Sequence, residues 1–225
     1  MRMNKEILYS DWGLIDYNNA WQQQEEIFNN TIQQKASGNE TDNQLIFCEH
    51  PHVYTLGKSG DEHNLLIDYI QLQASDAKFV KTNRGGDITY HGPGQLVGYP
   101  IFDLANFGIG IKQYIFHIEQ AIIDCLAENY NIHSERLNGA TGVWIESNTP
   151  CARKICAIGV RCSRFVTMHG FALNVNTNLD YFKHINPCGF VDKGVTSISK
   201  EIGKPVEMSV LKILLSEKIR REFLV

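Results

Sequence analysis

A cysteine in the sequence INPCG, Cys188, lies in a setting typical of an exposed sulfur on a rigid bend. Pro187 restricts the backbone on one side, and Gly189 removes side-chain bulk on the other. Most free cysteines are inert buried residues, whereas a thiolate is a strong nucleophile. Cys48 and Cys125 lie on apolar stripes, and Cys188 lies in a polar turn. Cys188 is therefore the candidate nucleophile.

A lysine within the largely apolar run KICAIG, Lys154, is the candidate partner of that cysteine. A lysine in such a strand is most often a surface or edge charge. If its side chain instead enters a cavity beside Cys188, the ammonium favours the thiolate, because an unperturbed thiol with a pKa of about 8.5 is only a few per cent ionised at pH 7. The same amine can then give or take a proton. The sequence leaves both interpretations of Lys154 open.

The segment RGGDITYHGPGQ, residues 84–95, contains four glycines among twelve residues. Glycine lets a ligand approach the backbone closely, where exposed N–H groups bind oxygen atoms. The segment is also rich in polar side chains, which a simple turn does not require. It matches neither of the common nucleotide-phosphate loop patterns. A ligand-binding loop and a long structural hairpin both remain possible.

Cysteine and histidine spacing gives little support for a metal site. Cys151, Cys156 and Cys162 are separated by four and five residues, rather than by the two residues of most structural zinc hooks. The histidines near the motifs are scattered singly along the chain. We therefore expect neither a metal nor another cofactor.

Hydrophobic periodicity indicates the elements that must position these residues. It predicts helices over 111–130 and about 207–222, and another that begins near Tyr17. The last helix is expected to direct Val210, Leu214 and Ile219 inward. Strands are predicted at 44–50, 77–82, 96–104, 142–147, 154–162 and 166–176. The sequence thus predicts one mixed α/β domain over residues 1–225.

Composition and charge exclude several classes of protein. The chain has 225 residues, of which 43% are hydrophobic and 20% charged, so it can bury a sizeable core without disulfides. A net charge of −4 argues against a general nucleic-acid binder. No apolar stretch approaches the roughly 20 residues that cross a bilayer, and the start of the chain does not resemble a signal peptide. We expect a cytoplasmic protein with reduced thiols and neither a nucleic-acid nor a membrane partner.

Several sequence blocks together resemble the lipoyl(octanoyl) transferases, the octanoyltransferases of protein lipoylation. The blocks are CEHPHVYTLGKSG at 48–60, RGGDITYHGPGQLVGYPIFDL at 84–104, GVWI followed by RKICAIGVR, HGFALNVN at 169–176 and INPCG at 185–189. They follow that family's order between about residues 45 and 200. Several long blocks in register are a far more specific signal than any one of them alone.

The resemblance implies an activity and partners. This family moves an octanoyl group from the phosphopantetheine thiol of octanoyl-acyl carrier protein to a lysine of a lipoyl domain. The acceptors are the lipoyl domains of 2-oxoacid dehydrogenases and the glycine cleavage H protein, and we expect a monomer. The implied fold is that of the biotin and lipoate protein ligase catalytic domains, an α/β fold with a mixed sheet and packed helices.

The resemblance also implies roles for individual residues. Cys188 occupies the place of the acyl-thioester nucleophile, and Lys154 that of its paired lysine. The positions that match substrate-binding stretches are Arg84, Gly85, Gly86, Asp87, Ile88, Thr89, Tyr90, His91, Ala157, Ile158, Gly159, Gly170, Phe171 and Ala172. Arg153 precedes Lys154, and a shift of one residue would place there an arginine, which does not lose its proton at pH 7.

An octanoyl chain requires an apolar slot, and acyl transfer requires hydrogen-bond donors for the oxyanion. The candidate walls of the slot are Tyr90, Val143, Ile158, Phe171 and Leu173. The candidate backbone donors are Gly85, Gly86 and Gly170. A basic rim for acidic partner proteins is expected at Arg161, Arg164, Lys183 and Lys193. His91 and His169 are either scaffold or substrate contacts.

The sequence leaves three alternatives open. The first is an ATP-dependent lipoate-protein ligase of the same fold, which makes an acyl-adenylate. The second is a non-catalytic carrier-protein-binding module, which would function without the Cys188 thiol. The third, a cysteine hydrolase, has less support because no histidine lies in a recognisable Cys–His signature.

Overall fold

The computed structural model describes residues 4–186 and 193–224 and contains one large and one small β-sheet. The strands of the large sheet, numbered in chain order, are β1 (Ile7–Leu14), β2 (Asn43–Glu49), β6 (Gln95–Ile101), β7 (Glu135–Leu137), β8 (Ala140–Ile145), β9 (Arg153–Ser163), β10 (Val166–Asn174) and β11 (Gly194–Val195). Their order is β1-β2-β6-β10-β9-β8-β7, and β11 pairs with β9. The β1–β2 and β9–β11 pairs are parallel and the others antiparallel, so the predicted mixed sheet is confirmed.

The small sheet carries part of the glycine-rich segment. Its strands are β3 (Val53–Leu56), β4 (Lys78–Lys81) and β5 (Ile88–His91), in the order β4-β3-β5. Tyr54 and Tyr90 are fully buried on this sheet and pack with Phe182 of the 3₁₀ helix Leu179–His184. The small sheet therefore fixes the glycine-rich segment against the chain that leads towards Cys188.

Helices cover both faces of the large sheet. They are α1 (Tyr17–Ala36), α3 (Leu104–Phe107), α4 (Ile111–Tyr130), α5 (Ile198–Ile202) and α6 (Met208–Leu224), whereas α2 (Tyr69–Ala74) packs against the small sheet. Residues of α1 pack on one face, and the apolar stripes of α4 and α6 form the larger core on the other. The side chain of Gln113 accepts a hydrogen bond from the Gly110 amide at the start of α4. Asn131, whose backbone lies in the left-handed region of conformational space, ends the helix.

Most predicted elements are confirmed, because their hydrophobic periods are strong. Helix α4 has the predicted bounds, and the strands around 44–50, 154–162 and 166–176 form within about two residues of the expected limits. The expectation that Val210 faces inward is wrong, since its side chain is 49% exposed. The buried stripe of α6 runs through Leu211, Leu215, Ile219 and Phe223. This stripe includes Ile219 but leaves Val210 outside it. Among the described helices, none has both the length and the apolar character that spanning a bilayer requires.

Candidate active site

A cavity of about 480 Å³ lies between the glycine-rich segment, β9 and β10. The predicted site residues that line it are Arg84, Gly85, Gly86, Asp87, Ile88, Thr89, His91, Lys154, Ala157, Ile158, Gly159, Gly170, Phe171 and Ala172. The fold thus brings three stretches that are distant in sequence to one space. That these residues bind a substrate stays a prediction.

Tyr90 is the predicted binding residue that points elsewhere. Side chains alternate along β5, so Thr89 and His91 line the cavity while Tyr90 enters the core of the small sheet. There its ring stacks on Tyr181 at 4.8 Å, and its hydroxyl lies 2.7 Å from His52 Nδ1. A wall position for Tyr90 is therefore not supported.

Of the four other residues predicted to form walls of the acyl slot, two line the cavity and two do not. Val143 and Leu173 are fully buried in the core beneath α4 and do not line the cavity. Ile158 and Phe171 do line it. The sequence identified the right strands, but the direction of each side chain depends on the register between strands.

The buried Arg84 side chain organises the glycine-rich segment. Its Nη2 donates to the carbonyl oxygens of Thr55 at 2.6 Å and Asp87 at 2.7 Å, and its Nη1 donates to Gly85 O at 3.0 Å. The Gly85 amide in turn donates to Val160 O at 3.0 Å, so it is already used within the fold rather than directed at a reacting group. The guanidinium therefore fixes the loop backbone at the cavity wall.

His91 is a neutral imidazole held in one tautomer. The amide nitrogen of Gln95 donates to Tyr90 O and to Asn174 Oδ1, so Gln95 Oε1 accepts from His91 Nδ1 at 2.8 Å. His91 Nε2 then accepts from the Thr55 hydroxyl at 3.3 Å. Burial lowers the pKa of His91 to about 3. These partners favour a scaffold role for His91.

His169 is a second neutral imidazole on the cavity wall, in the left-handed region with φ of 60°. Its Nε2 lies 2.6 Å from Asn83 Oδ1, and its backbone amide donates to Gln24 Oε1 at 3.1 Å. Burial, with the charges of Arg84 and Arg161, lowers its pKa to about 3. Within the described chain, His169 Nδ1 has no hydrogen-bond partner.

Lys154 lies at an irregularity of β9 that directs its side chain to the cavity. Val143 pairs with Cys156 and Trp144 with Lys154, so Ile155 is an extra residue on β9. Such bulges often re-aim side chains near active sites. Lys154 is half-buried, lines the cavity, and holds its Nζ 4.6 Å from the centre of the Trp144 ring. The interpretation of Lys154 as a plain surface charge is therefore wrong.

Arg153 is held on a different side of the strand. Its guanidinium forms a two-point ion pair with Glu201, at 2.7 and 2.8 Å, and a third contact with Glu146 at 2.6 Å. A one-residue shift in the match to the family, which would place Arg153 in the position of the paired lysine, is thus inconsistent with the structure.

Cys188 lies outside the described residues, so its position is not part of this geometry. The described chain on both sides can be placed. Before it, the Asn186 amide donates to Asn64 O at 2.9 Å, and Phe182 lines the cavity. After it, Lys193 lines the cavity, and the Thr196 amide donates to Lys154 O at 3.0 Å. The chain therefore leaves the described region near this cavity and returns beside Lys154.

Burial makes three other thiols poor nucleophiles. Cys48, Cys125 and Cys156 are almost completely inaccessible. Burial raises the pKa of the Cys125 thiol to about 12, and it also raises the pKa values of Cys48 and Cys156. These thiols stay protonated near neutral pH. In residues 4–186 and 193–224, no group of three or more histidine, cysteine or acidic side chains is arranged to hold a metal ion.

The predicted basic rim is dispersed. Lys193 lies at the cavity, whereas Lys183 is exposed and pairs with Asp180 at 2.5 Å. The Arg161 guanidinium lies 5.0 Å from the centre of the Phe28 ring. Arg164 lies in the turn between β9 and β10. Lys193 is the member of the predicted set that reaches the cavity.

Several lining residues were missed by the sequence interpretation. They are chiefly apolar and aromatic, and include Tyr17, Val97, Tyr99, Ile115 and Trp144. Ile115 belongs to the stripe that predicted α4, but a stripe identifies the buried face and not a cavity within it. For the others, the contact with the cavity arises only when distant elements pack together.

Comparison with known proteins agrees with this fold. The model of the lipoyl protein ligase A/B catalytic domain family matches residues 16–220. An octanoyltransferase of Cytophaga hutchinsonii is 55% identical over 229 residues, which cover 98% of this chain and 93% of the relative. An octanoyltransferase of Bacteroides fragilis is 53% identical over 215 residues, which cover 96% of this chain and 95% of the relative.

Solved structures confirm the expected fold. A bi-partite lipoate protein ligase from Thermoplasma acidophilum, described with its E2 lipoyl domain, aligns with a TM-score of 0.69 and 14% identity over 99% of this chain and 84% of that one. Biotin protein ligase from Aquifex aeolicus aligns with a TM-score of 0.51 and 12% identity over 99% of this chain and 70% of that one. Because the family model spans most of the sequence and the octanoyltransferase relatives are more than half identical, the chain belongs to the lipoyl protein ligase A/B catalytic domain family.

Proposed function

We propose that this protein transfers an octanoyl group from octanoyl-acyl carrier protein to a lysine of a lipoyl domain, through a thioester on Cys188. Relatives that are more than half identical over nearly their whole length are octanoyltransferases, which supports octanoyl transfer as the reaction. The observation that carries the active-site assignment is the position of Lys154. Its side chain lines the cavity, and its backbone carbonyl accepts a hydrogen bond from Thr196, just after the short strand that follows the Cys188 segment.

In the first half-reaction, the Cys188 thiolate attacks the thioester carbonyl of the donor. The carbon–sulfur bond to pantetheine breaks, and the departing thiolate takes a proton from the Lys154 ammonium. The product is octanoyl-Cys188, which is also a thioester. This exchange is therefore nearly thermoneutral and reversible.

In the second half-reaction, the amine of the acceptor lysine attacks octanoyl-Cys188. The neutral Lys154 amine takes the proton that the attacking nitrogen loses, and the Cys188 thiolate departs. The amide is more stable than the thioester, so this half drives the overall transfer. No ATP is consumed, because the thioester already carries the activated acyl group.

The apolar part of the cavity suits an eight-carbon chain. Ile115, Ile158, Phe171 and Trp144 lie along it, and its volume falls within the usual range for small-ligand sites. Burying each methylene contributes about 0.8 kcal/mol. The Lys154 ammonium also lies near the face of the Trp144 ring, a contact that the ring quadrupole stabilises and that holds the side chain at the cavity.

The proposed acceptors are lipoyl domains of 2-oxoacid dehydrogenases and the glycine cleavage H protein. In this proposal the protein acts as a monomer in the cytoplasm. The family includes proteins that act on lipoyl domains, and the lipoate protein ligase from T. acidophilum was described with its E2 lipoyl domain. The acceptor approaches after the donor has left, because both substrates use the same cysteine.

An ATP-dependent ligase is the alternative within this fold. It predicts octanoylation of a lipoyl domain from free octanoate and ATP, whereas the proposed reaction requires octanoyl-acyl carrier protein and no nucleotide. The test is to supply each donor separately to the protein with an unmodified lipoyl domain and to measure the modified lysine by mass. Transfer from the carrier protein alone supports the proposal. Transfer that occurs only with octanoate and ATP contradicts it.

A further inference from the structure

Gly98 of β6 and Phe171 of β10 lie directly opposite each other in the antiparallel pair. Directly opposed residues share one face of a sheet, so the phenyl ring occupies the side on which a Gly98 side chain would project. A Cβ added at Gly98 would lie within 3.0 Å of three carbons of the Phe171 ring. The ring therefore rests in space that exists because residue 98 has no side chain.

A second aromatic residue holds the ring on its other side. Phe47 of β2 also pairs with Gly98, and its ring meets the Phe171 ring edge to face, with centroids 6.0 Å apart. Phe47 and the neighbouring Leu96 are fully buried. A ring displaced from Gly98 cannot enter this close-packed region without overpacking it.

The cavity offers the displaced ring an open space. Phe171 lines it together with Ile115 and Ile158, on the side covered by α4. We infer that Gly98 determines which acyl chain lengths fit, because it lets the Phe171 ring lie back against the sheet. This inference rests on the proposed placement of the octanoyl chain in the cavity. Gly98 does not line the cavity and acts through the ring.

Gly98→Ala tests the inference by moving the ring. The added methyl group drives Phe171 into the cavity and shortens the space available to the chain. In an apolar pocket, one methylene that no longer fits typically changes kcat/KM by 10–200-fold. We expect the ratio of kcat/KM for octanoyl- to hexanoyl-carrier protein to fall by about tenfold or more.

A matched control separates this effect from a general effect of glycine replacement. Gly110 precedes α4, has negative φ, and a Cβ there would meet nothing within 4 Å. Gly110→Ala is expected to keep the octanoyl to hexanoyl ratio of the wild type. The double variant Gly98→Ala/Phe171→Leu is expected to recover much of that ratio, since leucine does not reach over position 98. An unchanged ratio in folded Gly98→Ala overturns the inference.

A second variant applies if Gly98→Ala does not fold. Phe171→Leu alone removes the outer part of the ring and enlarges the space. The ratio of kcat/KM for decanoyl- to octanoyl-carrier protein should then rise several-fold. A constant or lower ratio contradicts the inference.

A crystal structure and binding measurements separate failure of this inference from failure of the proposed function. If the wild type transfers no octanoyl group from carrier protein, the proposed function fails. The role of the Phe171 ring can still be tested by two measurements. One is the crystal structure of Gly98→Ala, or of Phe171→Leu if Gly98→Ala does not fold. The other is the relative affinity of the same variant for hexanoate and octanoate. A displaced ring in Gly98→Ala with weaker preference for octanoate supports the inference, as does a larger cavity in Phe171→Leu. An unchanged cavity and preference overturn it.

Discussion

The backbone amide of Thr196 donates a hydrogen bond to the carbonyl of Lys154 at 3.0 Å. Thr196 follows β11, the strand with which the described chain resumes after the Cys188 segment. The same region is held by the Thr196 hydroxyl, which donates to Glu201 at 2.5 Å, and by the ion pair between Glu201 and Arg153. The return of the chain from Cys188 is thus fixed directly to the strand that carries Lys154.

The first prediction concerns proton transfer by Lys154. Lys154→Arg keeps a positive charge but loses the exchangeable proton, because a guanidinium does not deprotonate near pH 7. We expect kcat/KM for octanoyl transfer to fall by about 10²-fold or more. Lys154→Ala should be at least as impaired and should be partly rescued by added small amines. Near-normal activity of Lys154→Arg would show that residue 154 has no acid–base role.

The second prediction concerns Gly142, which lies next to the Lys154 side chain. Its φ is 123°, and a Cβ there would lie 2.5 Å from Cys156 O and 3.6 Å from Lys154 Cε. Gly142→Ala should lower the free energy of unfolding by about 2 kcal/mol or more and should also reduce transfer, because the bulge behind Lys154 must move. Chemical denaturation and steady-state kinetics measure the two effects.

Gly38 provides the control for this variant. It also has positive φ, at 75°, but a Cβ there would meet nothing within 4 Å, and Gly38 does not line the cavity. Gly38→Ala should carry only the backbone strain, about 1–2 kcal/mol, and should leave turnover of the folded enzyme much closer to normal. Equal effects of the two variants on turnover would contradict the argument from the steric clash.

The third prediction concerns the clamp formed by Arg153 and Glu201. The guanidinium keeps the pKa of Glu201 below its usual range, and the pair joins β9 to α5. Glu201→Gln should cost about 1–3 kcal/mol of stability, as expected for a charged hydrogen-bond pair, and should lower kcat by loosening the return of β11. Glu128→Gln, which removes a surface pair with Lys218, is the control. Wild-type kcat in Glu201→Gln would show that the clamp does not position the site.

The fourth prediction concerns stability against acid. Burial lowers the pKa of His50 to about 4 and the pKa values of His91 and His169 to about 3. In the unfolded chain these imidazoles take up protons as the pH falls below about 6.5, whereas in the folded protein they stay neutral. The free energy of unfolding is therefore at its full value above that pH and falls as the solution is acidified towards pH 4.

Each of these histidines should contribute a loss of roughly 1 kcal/mol between pH 7.5 and pH 5.5. Urea unfolding at a series of pH values measures the total. The slope of stability against pH also counts the protons taken up on unfolding. A free energy of unfolding that is constant over this range would mean that the three imidazoles titrate in the folded protein as they do in the unfolded chain.

The sequence predicted the mixed α/β class and most elements, because their periods are strong. Helix α4 carries a nearly continuous apolar stripe, and the strands around Lys154 and Phe171 are bounded by turn-forming residues. The prediction of which face of α6 is buried was less accurate, since Val210 and Leu211 are both apolar and only packing decides which of them is buried.

The candidate site was predicted in part for a similar reason. The types of residues identified Lys154 and the glycine-rich segment, and both line the cavity. The opposite direction of Tyr90 follows from the pairing of β5 with β3, which a single sequence does not reveal. The bulge at Ile155 and the space above Gly98 likewise depend on register between strands.

The most direct test of the account is to locate the acyl group on the enzyme itself. Wild type, Cys188→Ser and Cys151→Ser are each mixed with octanoyl-acyl carrier protein without an acceptor, and intact and peptide masses are measured. Cys151→Ser is the matched control, because Cys151 is an exposed thiol near Lys154 in sequence. The account predicts an octanoyl adduct on Cys188 in wild type and in Cys151→Ser, and no adduct in Cys188→Ser. When a lipoyl domain is added, the octanoyl group should pass from Cys188 to that domain. An adduct on another residue, or octanoyl transfer by Cys188→Ser at the wild-type rate, would contradict it.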